Sequence, residues 1–152
     1  MIGLVSSQPA FDFRDFTFVD LGSGKGRTLL MASDYPFRQI IAVELLPALH
    51  QVAQENLPKY HSDSQECFSI EAICADATEF SFPAEPTVLF LFNPFPEHGL
   101  KQVIANLELS LEQHPRAVYL LYHNPLLAHV LDKSAAFRNL AQTHQYAVYR
   151  TT

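Results

Sequence analysis

Cysteine is scarce: only Cys67 and Cys74 occur in 152 residues. Two thiols are too few for a disulfide framework or a cysteine zinc site, and they point to a reducing cytoplasm. Long apolar runs are missing as well. Val88 to Phe92 falls far short of the ~20 residues that a membrane-spanning helix needs, so no membrane partner is expected. Nothing at the amino end reads as a secretory signal, because polar Ser6, Ser7 and Gln8 closely follow Met1. Basic residues number 10 against 16 acidic ones, a net charge of −6. A duplex nucleic-acid surface normally clusters Lys and Arg, so nucleic acid is not the expected partner. No repeat, linker or low-complexity tract interrupts the chain. What is present is a globular composition, 48% hydrophobic and 17% charged. The length suits one domain, 1–152, with one sizeable core.

Apolar β-like runs alternate with helical patterns, which signals an α/β domain with a largely parallel sheet. The first strand is expected from Phe16 to Leu21, stopped by Gly22, Gly24 and Gly26, with a helix from Arg27 to about Ser33. A second strand, Ile40 to Glu44, precedes a helix that starts at Pro47 and ends by Pro58. A third covers Phe68 to Cys74, with Phe68, Ile70, Ala72 and Cys74 alternating on one face. The fourth, Thr87 to Phe92, is apolar throughout and should be covered on both faces. Leu100, Val103, Ile104, Leu107 and Leu111 then mark an amphipathic helix. A fifth strand runs from Ala117 to Tyr122, and Asn124-Pro125 reads as the cap and first residue of a short helix to about Lys133. The tail, Phe137 to Arg150, is two short strands or one bent one.

Chemistry concentrates at the ends of the strands. The first stretch is Asp20-Leu21-Gly22-Ser23-Gly24-Lys25-Gly26. Glycines there let the backbone turn with positive φ and let a ligand approach the main chain. A phosphate-binding P-loop fails, because Gly26 stands where Ser or Thr is needed after Gly24-Lys25. The strict dinucleotide fingerprint fails as well, because the glycine spacing is G-x-G-x-G rather than G-x-G-x-x-G. Glu44 closes the second strand, 20 residues after Gly24, and a carboxylate there can accept from both ribose hydroxyls. Asp76-Ala77 closes the third strand, Asn93-Pro94-Phe95-Pro96 follows the fourth, and His123 closes the fifth. A histidine at that place can take a proton near neutral pH. The remaining histidines show no metal-ligand spacing, and no metal is expected.

The acidic-x-Gly-x-Gly-x-Gly pattern behind a first strand resembles the first motif of class I S-adenosylmethionine-dependent methyltransferases. The ordered set that follows, from Glu44 to Phe95, extends that resemblance over most of the chain. It implies a doubly wound, mostly parallel seven-stranded sheet with helices on both faces and a reversed final hairpin. It also implies S-adenosylmethionine as cofactor. Asp20 would lie near the methionine amino group, and Gly22, Ser23, Gly24 and Gly26 would line the methionine and ribose. Glu44 would hold the ribose, and Asp76 with the Ala77 N–H the adenine. Asn93, Pro94 and Phe95 look like the Asn/Asp-Pro-Pro-Tyr/Phe motif of amino-group methyltransferases with one proline missing. That departure favours an amine on a small molecule or a protein lysine over a nucleic-acid base. The implied reaction is in-line displacement of the methyl group, with Asn93 orienting the amine and His123 assisting its deprotonation. Only fifteen residues precede Phe16, where family members usually carry helices that shape acceptor choice, so a second subunit in a homodimer is a further expected source of that surface. Two other readings stay open: a non-catalytic nucleoside-binding domain, and a nicotinamide-dependent oxidoreductase.

Overall fold

A computed structural model describes residues 1–92 and 95–152. Asn93 and Pro94 lie outside the described residues. Seven strands form one sheet: β1 (Thr17–Leu21), β2 (Gln39–Glu44), β3 (Ile70–Cys74), β4 (Thr87–Phe92), β5 (Val118–His123), β6 (Phe137–Gln142) and β7 (Tyr146–Thr151). Their spatial order is β3-β2-β1-β4-β5-β7-β6. The pairs from β3 to β5 are parallel, and β7 runs antiparallel to both β5 and β6. Strand order therefore reverses between β1 and β4, the place where open α/β sheets bind ligands at the carboxyl ends of their strands. The expected doubly wound seven-stranded sheet is present, and the tail is two strands rather than one.

Both faces of the sheet are covered because successive side chains point to opposite sides. On one face Val19, Leu21, Leu89, Leu91, Leu120 and Tyr122 pack beneath α4 (Glu97–Gln113), which contributes Leu100, Val103, Ile104 and Leu107. On the other, Phe18, Ile40, Ala42, Val88, Tyr119 and Leu121 meet Leu29 and Ala32 of α2 (Arg27–Ala32) and Val5 of α1 (Ile2–Ser6). The α3 helix (Pro47–Asn56) begins at Pro47, as its sequence requires, and a 3-10 turn, Leu57–Lys59, follows it. A short helix, α5 (Ala128–Asp132), links β5 to the final hairpin. Among the described residues no helix is long and apolar enough to cross a membrane.

Two local expectations are corrected. The third strand starts at Ile70 rather than Phe68, and Phe68 is 76% exposed. β3 is an edge strand paired only with β2, whose Ile40 stands opposite Ile70, so ladder pairing begins there. Cys74 is likewise exposed, so the expected single buried face is not formed. Asn124 does not cap a helix. It sits at φ 52°, in the left-handed region that Asn tolerates, and its N–H donates to the Gln145 carbonyl. The chain turns there against the β6–β7 hairpin, and the helix begins at Ala128.

Candidate functional site

The glycine loop leaves β1 and is pinned sideways onto β2. The Gly22 and Ser23 N–H groups both donate to the Val43 carbonyl, at 2.8 and 3.1 Å. Gly22, Gly24 and Gly26 all have positive φ, 79°, 57° and 88°. Their roles differ once space is considered. A Cβ on Gly24 would meet nothing within 4 Å, so its backbone faces open space. A Cβ on Gly26 would press on Leu29 Cδ2 at 3.0 Å and Ala53 Cβ at 3.2 Å. Gly26 thus lets α2 and α3 approach each other closely, and it is buried away from the cleft described below. Gly26→Ala is expected to cost at least the ~1–2 kcal/mol of a left-handed alanine, with crowding in addition. A lower urea midpoint with unchanged slope would report it.

Glu44 ties the loop to the second strand. Its Oε1 accepts the Gly24 N–H at 3.1 Å and its Oε2 the Leu46 N–H at 3.4 Å. Each carboxylate oxygen has a second lone pair, so the side chain is oriented with accepting capacity to spare. Asp20 is 2% exposed at the end of β1. Burial, and then the charge of Glu44, push its carboxyl up to about 7. A positive charge brought near this carboxyl would favour its carboxylate form.

An open cleft of about 550 Å³ lies at the carboxyl ends of the strands. Gly22, Glu44, Asp76, Ala77 and Phe95 line it, drawn from the end of β2 and from the segments after β1, β3 and β4. Its size falls in the range of small-molecule sites. Asp76 caps a 3-10 turn, Ala77–Glu79, and its Oδ1 accepts from the Thr78 N–H at 2.9 Å and the Thr78 hydroxyl at 2.7 Å. The Thr78 hydroxyl, and then its N–H, hold the Asp76 carboxyl below its ordinary range. The local turn bond that any Asp at a strand end can make is therefore formed, at one oxygen. Asp20, Ser23, Gly24 and Gly26 do not line the cleft; of the glycine loop, Gly22 does.

His123 stands outside the cleft, paired across the sheet with Phe92. The two rings lie tilted against each other, with centroids 4.8 Å apart and an interplanar angle of 32°, Phe92 being 55% exposed and His123 half-buried. This sets the imidazole beside the last residue of β4, directly before Asn93. The expected roles of Asn93 and Pro94 fall outside the described residues.

Sequence reasoning missed several contributors to the cleft wall, among them Leu45, Thr78, His98, Gly99 and Gln102. His98 and Gln102 stand four apart in α4 and share a side of the helix. Their only signal was membership of the polar face opposite Leu100, Val103 and Leu107, and such a face ordinarily meets solvent.

The fit of this site to an adenosyl cofactor rests on the donor set. The Asp20 carboxyl is buried at the end of β1, the Glu44 carboxylate is oriented by two backbone N–H groups and lines the cleft, Asp76 lines it as well, and the backbone at Gly24 faces open space. Comparison with known proteins points the same way. A family model described as a methyltransferase domain matches residues 19–98, more than half of the chain. A search of curated proteins gave no match. Among solved structures, a protein from Pyrococcus horikoshii OT3, PH0226, is 16% identical with a TM-score of 0.65, covering 99% of this chain and 87% of its own. The N-methyltransferase NodS from Bradyrhizobium japonicum WM9, in complex with S-adenosylhomocysteine, is 10% identical with a TM-score of 0.63, over 89% and 77% of the two chains. An RNA methyltransferase from Salinibacter ruber, also with S-adenosylhomocysteine, is 18% identical with a TM-score of 0.56, over 99% and 88%. The chain belongs to the methyltransferase-domain family, the class I S-adenosylmethionine-dependent methyltransferases.

Proposed function

We propose that this chain, as a single domain, binds S-adenosylmethionine in the cleft at the carboxyl ends of β1 to β4 and transfers its methyl group to an amine. The observation that carries the reading is convergence: Gly22, Glu44, Asp76, Ala77 and Phe95 come from the carboxyl-end regions of four strands to line one cleft. When bound, the cofactor supplies a methyl group already activated by the sulfonium, so the protein's work is alignment and exclusion of water. Glu44 accepts from the ribose hydroxyls. Asp20 faces the methionine ammonium through the loop of Gly22, Ser23, Gly24 and Gly26. Asp76 and the Ala77 N–H recognise the adenine.

The acceptor side is assigned to the segment after β4 and the end of β5. Asn93 and Pro94 hold the amine through carbonyl oxygens, and the Phe95 ring packs beside it. The amine must lose a proton to attack, and the His123 imidazole accepts it. An amine on a small molecule or a protein suits a chain of net charge −6 better than a nucleic acid, whose phosphates such a surface repels. The neighbours do not choose between these, since NodS is an N-methyltransferase and the Salinibacter protein an RNA methyltransferase. Two free cysteines suit a reducing cytoplasm. A homodimer would add surface around the acceptor.

The test is transfer of labelled methyl from S-adenosylmethionine to a panel of primary and secondary amines, a lysine-rich peptide and an RNA oligonucleotide. Labelling of an amine or the peptide is expected, and labelling of the RNA alone would overturn the acceptor assignment. On the acceptor found, Asn93→Ala is expected to lower kcat about 100-fold and His123→Ala about 10-fold, the scale of lost orientation and of lost base assistance. S-adenosylhomocysteine affinity should stay unchanged in both. Turnover unaltered in both variants would remove these residues from the mechanism.

A further inference from the structure

An apolar pocket lies on the face of the sheet away from α4. It measures about 310 Å³, and its floor is Phe18, Phe90 and Leu121, from β1, β4 and β5. The Phe18 and Phe90 rings stack there with centroids 6.3 Å apart. Its roof is one side of α2 and the turn beyond it. Thr28, Met31, Ala32 and Tyr35 follow the i, i+3, i+4, i+7 spacing of a single helix face. Met31 is 62% exposed, so the pocket opens to solvent on that side. Strand register joins this floor to the acceptor side. Phe90 stands opposite Leu121, and Phe92 opposite His123. Side chains two apart on a strand share a face. The Phe92–His123 pair is therefore the next rung of the same ladder, about 7 Å nearer the carboxyl ends. An acceptor whose nitrogen meets His123 can lay its body along Phe92 into the pocket.

We infer that the acceptor is an arylalkylamine, with its nitrogen beside His123 and its ring in the pocket between α2 and the Phe18–Phe90 floor. This rests on the proposed placement of the amine at the ends of β4 and β5. A dry cavity of about 150 Å³ takes a benzene ring, so the pocket has room for a ring and part of its linker. A linker of about three carbons spans the step from Phe90 to Phe92. The aromatic floor suits a ring, which gains from stacking beyond its buried area. Asp34 also lines the pocket and repels an acidic substituent, so the ring is uncharged. A lysine side chain brings an amine but no ring to fill this space. On transfer the nitrogen lone pair forms the bond to the methyl carbon, the carbon–sulfur pair stays on sulfur, and the amine proton goes to His123.

The experiment compares 3-phenylpropylamine with propylamine, which differ by the ring alone. With saturating S-adenosylmethionine, kcat/KM is expected to be about 30-fold higher for the aryl compound, the scale of burying one ring. Calorimetric titration of the two amines into the protein with S-adenosylhomocysteine should show the same preference without turnover. A carboxylate on the ring, as in 4-(3-aminopropyl)benzoate, should remove the gain. Met31→Gln, at an exposed position of the roof, should shrink the preference about 5-fold. Thr28→Val, which removes a hydroxyl from the wall, should raise it about 3-fold. Equal kcat/KM for the two amines, or a lysine peptide methylated faster than both, would overturn the arylalkylamine assignment alone. Binding of S-adenosylhomocysteine with no transfer to any amine would instead overturn the amine reading, and this inference with it.

Discussion

Glu44→Ala is expected to weaken S-adenosylhomocysteine binding by about two orders of magnitude while the protein stays folded. Hydrogen bonds to a charged group contribute roughly 1.5–3 kcal/mol each. Loss of the two proposed to the ribose hydroxyls, at about 1.4 kcal/mol per tenfold, gives at least that factor. A second effect acts in the same direction. Glu44 also holds the Gly24 and Leu46 N–H groups, so its loss frees the glycine loop, which must then be ordered on binding. Glu44→Gln keeps an accepting oxygen but loses the charge, and about a 10-fold loss is expected. Calorimetric titration measures both variants, and circular dichroism confirms their fold. An unchanged dissociation constant in Glu44→Ala would remove the ribose role and leave Glu44 as a loop anchor only.

Asp20→Asn is expected to change the pH dependence of stability, because the Asp20 carboxyl is raised from 3.8 to about 7 by burial and by the charge of Glu44. Between those two values the folded state holds a proton that the unfolded state has released. Stability therefore falls as pH rises through that window, and is flat on either side of it as far as this group is concerned. Asn carries no titrating proton, so the variant should lack the slope. At pH 8 it should be more stable than the native protein by a few kcal/mol, with the gap closing toward pH 4. Urea unfolding at pH 4, 6 and 8 measures this, and a native protein equally stable at pH 6 and pH 8 relative to the variant would contradict it. The same group couples to ligand. If the methionine ammonium settles near Asp20, binding at pH 6 expels the proton, and titration in buffers of different ionisation enthalpy should detect proton release that Asp20→Asn abolishes.

Much of the architecture was legible because its signals are local. β1, β2 and β4 are β-branched or apolar runs, and the glycines that end β1 leave no choice about where the chain turns. Pro47 and Pro58 bracket α3 for the same reason. The errors lie where partners decide. Phe68 has the residue type for a strand, yet β2 offers it no pairing position. Asn124-Pro125 has the residue types of a helix start, yet the Gln145 carbonyl holds Asn124 in a left-handed turn. The candidate site divides along the same line. Glu44 was legible because its register with Gly24 is a sequence distance that the fold turns into a 3.1 Å hydrogen bond. His98 and Gln102 were not, because they reach the cleft only once α4 packs across the sheet beside the turn after β3. Composition reads such a helix face as solvated.

The most direct measurement is calorimetric titration of the purified chain with S-adenosylhomocysteine beside NADH. The account predicts micromolar, one-to-one binding of S-adenosylhomocysteine and none of NADH. No binding of S-adenosylhomocysteine at millimolar concentration, or binding of NADH in its place, would contradict it.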